Sequence, residues 1–374
     1  MIKLYALMFF IILSSLFTCA TYMVSGDLDS FAALGNSPKL LLLFISFGLS
    51  LLMLVLATSE SVHRNIKHLV FFVLLIYMLI FLCFVCTMPL RLFWPRINVF
   101  KTTCSVLLIH FFLYCYGYVN KFFIRPTYYS IKTEKNVNLK VVFISDLHLG
   151  AVGTSTKLLK KIVGVINAQK ADLVLLGGDT VETKVDYFDS LKYAELLKGI
   201  ESKLGTYAIL GNHEYYTGRT NLNRILEFLR KECGMRVLLD ELVHIEGNLV
   251  LAGRVDGGYD RTVTRKKVSE LLEKVGGADS FLLLLDHNPK YFDEAVVNNV
   301  DLQLSGHTHN GQMFPFNLFV KFLYEKPYGM LKKLNSTLLV SSGVGTWGPP
   351  VKVFSKPEVV VIEIKKSIDK RDSR

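Results

Sequence analysis

Acidic side chains are nearly missing from the first third of the chain. Before Glu134 only Asp27, Asp29 and Glu60 carry negative charge. A solvated globular surface mixes charges of both signs, so an ordinary soluble domain is excluded there. Cysteine is just as uneven: Cys19, Cys83, Cys86, Cys104 and Cys115 precede Glu134, and Cys233 alone follows it. No disulfide can form within the second part, which fits a reducing compartment. Internal repeats, low-complexity tracts and basic runs interleaved with aromatics are also lacking. The net charge of +11 therefore does not point to nucleic acid, and no nucleic-acid binding is expected.

Hydrocarbon fills the charge-poor third. Four uncharged apolar runs, Leu4–Gly26, Leu40–Ser59, Leu69–Leu90 and Thr102–Asn120, each reach the roughly 18 residues needed to cross about 30 Å of bilayer. Lys3 precedes the first run as in a secretory signal, but the run is too long and three more follow it. The expectation is four transmembrane helices in contact with membrane lipids, with Arg91, Trp94, Arg96 and Lys101 as interfacial anchors. With the amino terminus inside, seven basic residues flank the inner ends (Lys3, Arg64, Lys67, Lys121, Arg125, Lys132, Lys135), against four outside (Lys39, Arg91, Arg96, Lys101). That count favours a cytoplasmic face for the remainder of the chain. The expected divisions are a membrane domain over 1–126, a polar linker over 127–138, a catalytic domain over 139–365 and a disordered charged tail over 366–374.

After the linker, apolar strands alternate with helical patterns. Val141-Val142-Phe143-Ile144 reads as a strand buried on both faces, and it runs into Ser145-Asp146-Leu147-His148. Leu158, Leu159, Ile162, Val163 and Ile166 mark a helix over 156–169. Asp172–Leu176 leads into Gly177-Gly178-Asp179, and Gly205–Leu210 into Gly211-Asn212-His213-Glu214. Phe281–Leu285 ends at Asp286-His287, and Val300–Leu304 at Ser305-Gly306-His307-Thr308-His309. Further helices are expected over 186–197, 222–233 and 264–274, with closing strands at 337–340 and 359–364. Gly, Asn and Asp sit at strand ends simply because they turn. Histidine does not, and four such His (148, 287, 307, 309) call for another explanation. Carboxylate and imidazole side chains at strand ends suit Zn, Mn or Fe. The glycines at 178, 211 and 306 fit a backbone pressed against ligands, with no room for a Cβ.

Asp146-x-His148, Gly178-Asp179, Gly211-Asn212-His213-Glu214, His287 and Gly306-His307-Thr308-His309 occur in the order of a known family. Together with Ser342-Gly343-Val344-Gly345 and Pro349-Pro350, the stretch from about Lys140 to Ile364 resembles the calcineurin-like metallophosphoesterases, in the branch of the YkuE- and YaeI-type bacterial phosphohydrolases. The resemblance implies an α/β fold, a four-layer α/β/β/α sandwich following the membrane helices. It implies two divalent metal ions: one on Asp146, His148 and His309, the other on Asn212, His287 and His307, with Asp179 bridging. A metal-bridging hydroxide would attack phosphorus in a phosphomonoester, phosphodiester or pyrophosphate. His213 would protonate or stabilise the leaving group, and Glu214 would orient His213.

Three departures or additions stand beside that pattern. Asn310 replaces the second Gly usual after His-Thr-His, a position where Asn tolerates left-handed backbone. Arg254 stands where relatives often carry an acid. It is expected in a surface salt bridge, with a phosphate grip at the mouth as the alternative. Phe314, Phe316 and Trp347 are expected to pack in core or loops, with a lipid-accepting rim as the alternative. One relative of the branch cleaves a UDP-linked diacylglucosamine pyrophosphate, so a lipid-linked pyrophosphate is a narrower substrate within the same chemistry. The competing function from a different class is a non-catalytic binding scaffold on the same fold.

Overall fold

The computed structural model describes residues 99–367 apart from 183, 257–263, 274 and 276–278. The first three expected spans lie outside the described residues. The fourth coincides with helix α1, Val99–Asn120, which carries Lys101 and His110. No helix among the described residues is long and apolar enough to cross a membrane. Contacts divide the chain between Tyr116 and Gly117, and every strand described belongs to the second unit.

Continuously apolar strands, buried on both faces, and amphipathic helices build that unit. In chain order come β1 (Arg125–Thr133), β2 (Asn138–Ile144), α2 (Thr156–Asn167), β3 (Leu173–Gly177), α3 (Ser190–Lys198), β4 (Thr206–Ile209), α4 (Asn212–Tyr216), α5 (Arg219–Glu227), β5 (Arg236–Val237), β6 (Glu241–Ile245) and β7 (Leu249–Gly253). Then come α6 (Val268–Leu272), β8 (Phe281–Leu285), α7 (Phe292–Val297), β9 (Leu302–Ser305), α8 (Phe316–Leu323), β10 (Gly329–Lys333), β11 (Ser336–Val340) and β12 (Glu358–Lys366). One sheet runs β1-β12-β2-β3-β4-β5 and the other β10-β11-β9-β8-β7-β6. Both are mixed, with β2, β3 and β4 parallel in the first and β7, β8, β9 and β11 parallel in the second.

Strand alternation sorts the side chains into layers. Val141 and Phe143 of β2 meet Leu251, Leu283 and Leu304 in the core between the sheets. Val142 and Ile144, one step out of phase, pack under Leu159, Ile162 and Ile166 of α2. On the far side Ala252, Leu284 and Val340 pack under Leu271 of α6 and Phe292 of α7. The result is helix, sheet, sheet, helix. Ser155 caps α2, its side chain accepting from the Leu158 amide.

Several local expectations change. The polar stretch 127–138 is not a bare linker, because β1 pairs in parallel with β12 at the sheet edge. Only Ile131 of β1 is fully buried while Tyr128, Ser130 and Lys132 face out, so the apolar alternation is too faint to read. The helix expected over 264–274 is one short turn, α6. The one expected over 222–233 begins earlier, at Arg219, and finishes as a π-turn over Phe228–Glu232. Lys366 still belongs to β12, and 368–374 lie outside the described residues.

Candidate metal centre

The parallel strands of both sheets deliver their carboxyl ends to one edge, where open α/β sheets gather ligands. The loops there are stitched to each other. Asp146 N donates to Gly178 O (3.0 Å), His148 N to Asp179 O (2.9 Å), and Gly345 N, beyond β11, to Asp146 O (2.9 Å). The turns are severe: Asp146, His148, Asp179, His307 and His309 all take left-handed φ, from 49° to 70°. Each such residue costs about 1–3 kcal/mol, a strain typical of loops shaped for function rather than stability. Glycine makes the close approaches possible. A Cβ on Gly178 would sit 2.7 Å from His287 Nδ1, and one on Gly306 would strike Ser145 Oγ and the Asp146 carboxylate.

Two groups of donors built from the expected ligands result, beside a third made of His148, Glu182 and His213. Asp146, His148 and His309 form one, and Asp179, His287 and His307 the other, each with its donor atoms within 4.8 Å of one another. In the first, His148 Nε2 and His309 Nε2 are 3.0 Å apart and His309 Nε2 is 3.4 Å from Asp146 Oδ1. In the second, His287 Nε2 lies 3.1 Å from Asp179 Oδ2 without the alignment of a hydrogen bond. Asn212 joins this second group, its Oδ1 2.7 Å from His307 Nδ1. The groups touch: His307 N donates to both Asp146 oxygens, at 3.0 and 3.1 Å. Asn310 closes the loop in left-handed conformation (φ 50°).

The donors fit metal ions. Imidazole nitrogens turned toward each other and toward carboxylates, with His287 Nε2 left without a hydrogen bond, suit divalent cations better than protons. Two of the outward nitrogens are held as metal-binding histidines require, while His309 Nδ1 is buried without a hydrogen bond. His148 Nδ1 is 2.6 Å from Glu182 Oε2 and His287 Nδ1 donates to Gly177 O at 2.7 Å.

The family model for calcineurin-like phosphoesterases matches residues 139–311. An uncharacterized metallophosphoesterase of Aquifex aeolicus is 37% identical over 258 residues, covering 67% of this chain and 95% of that protein. The chain belongs to the calcineurin-like metallophosphoesterase family. An uncharacterized metallophosphoesterase of Campylobacter jejuni is 34% identical over 270 residues, 70% of this chain and 69% of the relative. A Danio rerio relative named "Transmembrane protein with metallophosphoesterase domain" is 29% identical over 287 residues, 72% of this chain and 64% of its own. The chain is thus a metal-dependent phosphoesterase, and the Asp and His groups are its candidate ligands for divalent metal.

Within this phosphoesterase the two outer carboxylates divide their work differently from expectation. The Glu214 carboxylate hydrogen-bonds to backbone amides and not to the His213 ring, although its charge still favours the protonated imidazole. It is buried and accepts from the amides of Gly211 (2.8 Å), Val181 (2.8 Å) and Asp179 (3.1 Å), lashing two ligand loops together. Burial and the Asp179 charge push it up to about 7, against the pull of those amides. The carboxylate on His213 is Glu182, 2.8 Å from its Nδ1. Nothing in the sequence marked Glu182: it is one acid in a polar turn, three residues past Asp179. Burial works against its charge, but His148 and His213 outweigh it and hold Glu182 down at about 2. Burial likewise opposes charge on His213, and Glu182 with Asp179 raise it to about 9.

Other side chains also change place. Arg254 is neither at the mouth nor on the surface. It is buried, paired with Asp286 (3.1 Å) and Glu294 (2.9 Å) beneath the His287 loop. Phe314, Phe316 and Trp347, expected in packing, are exposed, and the Trp347 ring lies 6.2 Å from that of His213. A second residue missed in the sequence is Lys352. Fully buried, it donates to the carbonyls of Ser342 and Gly343 (both 2.5 Å), and Gly343 lies against the Asp146 side chain. Burial lowers this ammonium to about 8.

Proposed function

We propose that the chain is a membrane-anchored, two-metal phosphohydrolase acting on phosphomonoester, phosphodiester or pyrophosphate bonds. The observation that carries it is the juxtaposition of the two donor groups, with His307 N on the Asp146 carboxylate. Asp146, His148 and His309 would hold one ion and Asn212, His287 and His307 the other, with Asp179 between. Bound there, a pair of divalent ions, Mn, Zn or Fe, supplies Lewis acidity toward the phosphate and a water of lowered pKa. The remaining work falls to the protein. Neutral Asn212 limits the negative charge that would repel a phosphate. Glu182 fixes His213 by its Nδ1 and keeps it protonated near neutrality, ready to give a proton to the departing oxygen. Glu214 keeps the Asp179 and Asn212 loops in register.

Anchoring is supported by the apolar runs within residues 1–98 and by the printed names of the Danio rerio and Bos taurus relatives, each a "transmembrane protein". The Lys/Arg count favours a cytoplasmic catalytic face. Tethering concentrates the site at the bilayer, which favours phosphorylated substrates borne on lipid, a lipid-linked pyrophosphate being one.

The full-length chain, purified and loaded in turn with Mn, Zn and Fe, should bind two ions per chain and release phosphate from an aryl phosphate or cleave an aryl phosphodiester. Binding of one ion, or hydrolysis that persists in His307→Ala, would overturn the two-metal reading. Release of a lipid monophosphate from a lipid-linked pyrophosphate would support the narrower substrate; turnover of soluble aryl esters alone would exclude it.

A further inference from the structure

Helix α8 is built inside out for a soluble protein. Of its eight residues, Phe316, Leu318, Phe319, Phe322 and Leu323 are exposed, Phe322 by 86% and Leu323 by 69%, while the buried side chain is the polar Asn317. Asn317 docks the helix. Its Nδ2 donates to Asn310 O (2.8 Å), and its backbone lies so close to Gly311 that a Cβ there would clash. Beyond the helix, Thr308 Oγ1 donates to Pro327 O (2.6 Å). The apolar face is therefore fastened at both ends to the loop that carries His307 and His309. Tyr324, at its end, sets its ring 6.1 Å from that of His307. Gln312, just before it, exchanges two hydrogen bonds with the backbone of Trp347.

The cover for this face is indicated by where the chain enters the domain. Gly117 O accepts from Lys352 N (3.0 Å), and Asn120 Nδ2 donates to Lys352 O and Ser355 O. Val353 N in turn donates to Gln312 O (2.8 Å), and the exposed Phe354 ring stands 6.4 Å from that of Phe314. One short strap thus joins the point where the chain arrives from its apolar first third to the start of α8. Charge agrees with a bilayer. The one charged residue within α8 is Lys321, whose stem can run along the apolar face and lift its ammonium to the headgroups. The nearby acid Glu325 is neutralised by Lys333 at 2.6 Å.

We propose that α8, flanked by Phe314, Phe354 and Trp347, lies in the boundary between headgroups and acyl chains of the bilayer and seats the mouth of the metal centre on the membrane surface. Interfacial helices bury their apolar face about 5–10 Å into that boundary. The site would then take phosphate esters presented at headgroup level without lifting the lipid out of its leaflet. The inference rests on the membrane attachment proposed above and not on hydrolysis.

The test uses the full-length chain with Trp94 and Trp347 replaced by Phe and a single new tryptophan, Phe322→Trp, reconstituted in phosphatidylcholine–phosphatidylglycerol vesicles. Leu318→Trp repeats the measurement on the same face, so that a folding failure at one position does not decide the outcome. Leu191→Trp, at a position 76% exposed on α3, gives the aqueous baseline. Lipids brominated near the headgroup end of the chain should quench the indole of either α8 variant about threefold more than that of the α3 variant, as expected for a ring at the acyl boundary. Quenching no greater than the aqueous baseline, with the chain retained on the vesicles, overturns the placement of α8. Protection from both brominated lipid and aqueous acrylamide overturns it too, because a second copy of the chain or another protein segment then covers the face. Release of the chain from vesicles by alkaline carbonate removes the membrane attachment and the inference with it, leaving the phosphohydrolase reading to its own assay.

Discussion

The two donor groups are near mirror images in composition yet are backed by different chemistry. His148, in the first, leans on the Glu182 carboxylate at 2.6 Å, while His287, in the second, donates to the neutral carbonyl of Gly177 at 2.7 Å. A carboxylate partner makes an imidazole a stronger base toward a cation than a carbonyl partner does. The first group also shares its backing, since Glu182 serves His213 as well. Under the proposed two-metal mechanism, metal loading and proton delivery would be coupled through Glu182 on one side of the centre and separate on the other.

The largest expected effect falls on both groups at once. Asp179→Asn should abolish turnover of an aryl phosphate to background and lower bound metal in an elemental assay. Undiminished metal with lost activity would mean that the two groups do not share this side chain. Glu182→Gln should then separate them. Losing the carboxylate behind a metal-binding histidine typically costs about 10–100-fold in affinity or activity. Titration with Mn should therefore show one weakened ion and one unchanged, and the high-pH fall in kcat should move to lower pH as His213 loses the partner that raises it. Equal weakening of both ions would erase the asymmetry. Gly178→Ala is the counterpart on the other side, since its Cβ would sit 2.7 Å from His287 Nδ1 in a left-handed backbone (φ 92°). It should release the second ion and cost about 1–3 kcal/mol of stability, read from a denaturant midpoint.

The smallest effect is a slope. Burial depresses Lys352 from its ordinary 10.5 to about 8, so between those values the unfolded chain holds a proton that the folded chain has released. Stability contributed by this group therefore rises with pH from about 8 to about 10.5, and below 8 the folded state carries a constant penalty. Lys352→Met should flatten that rise in denaturant midpoints measured across the window, while stranding the Ser342 and Gly343 carbonyls at about 1–3 kcal/mol. A rise unchanged in the variant would place the titration elsewhere.

Most of the layered fold was legible in the chain itself. Val141–Ile144, Leu173–Leu176 and Phe281–Leu285 are short, apolar and bounded by turn residues, so their burial follows from composition alone. The positions that converge as donors were legible for a related reason: histidine at the end of a buried strand has no ordinary turn role. The edge strand β1 escaped because one buried residue, Ile131, makes no pattern. Helix α8 escaped because Phe316–Leu323 reads as core, and only the structure reveals Asn317 as its inward face.

By itself, then, the sequence determined which segments are buried strands, which side chains end them, and that the first third is apolar beyond the needs of a folded core. Those properties depend on residues close along the chain, where hydrophobicity and spacing suffice. Only the tertiary structure decided that Glu182 and not Glu214 holds His213, that Arg254 pins Asp286 below the site, and that an apolar helix faces outward beside it. Each of these depends on which partner arrives from a distant segment, and a carboxylate, a guanidinium or a phenyl ring carries no mark in one dimension of the neighbour it will meet in three.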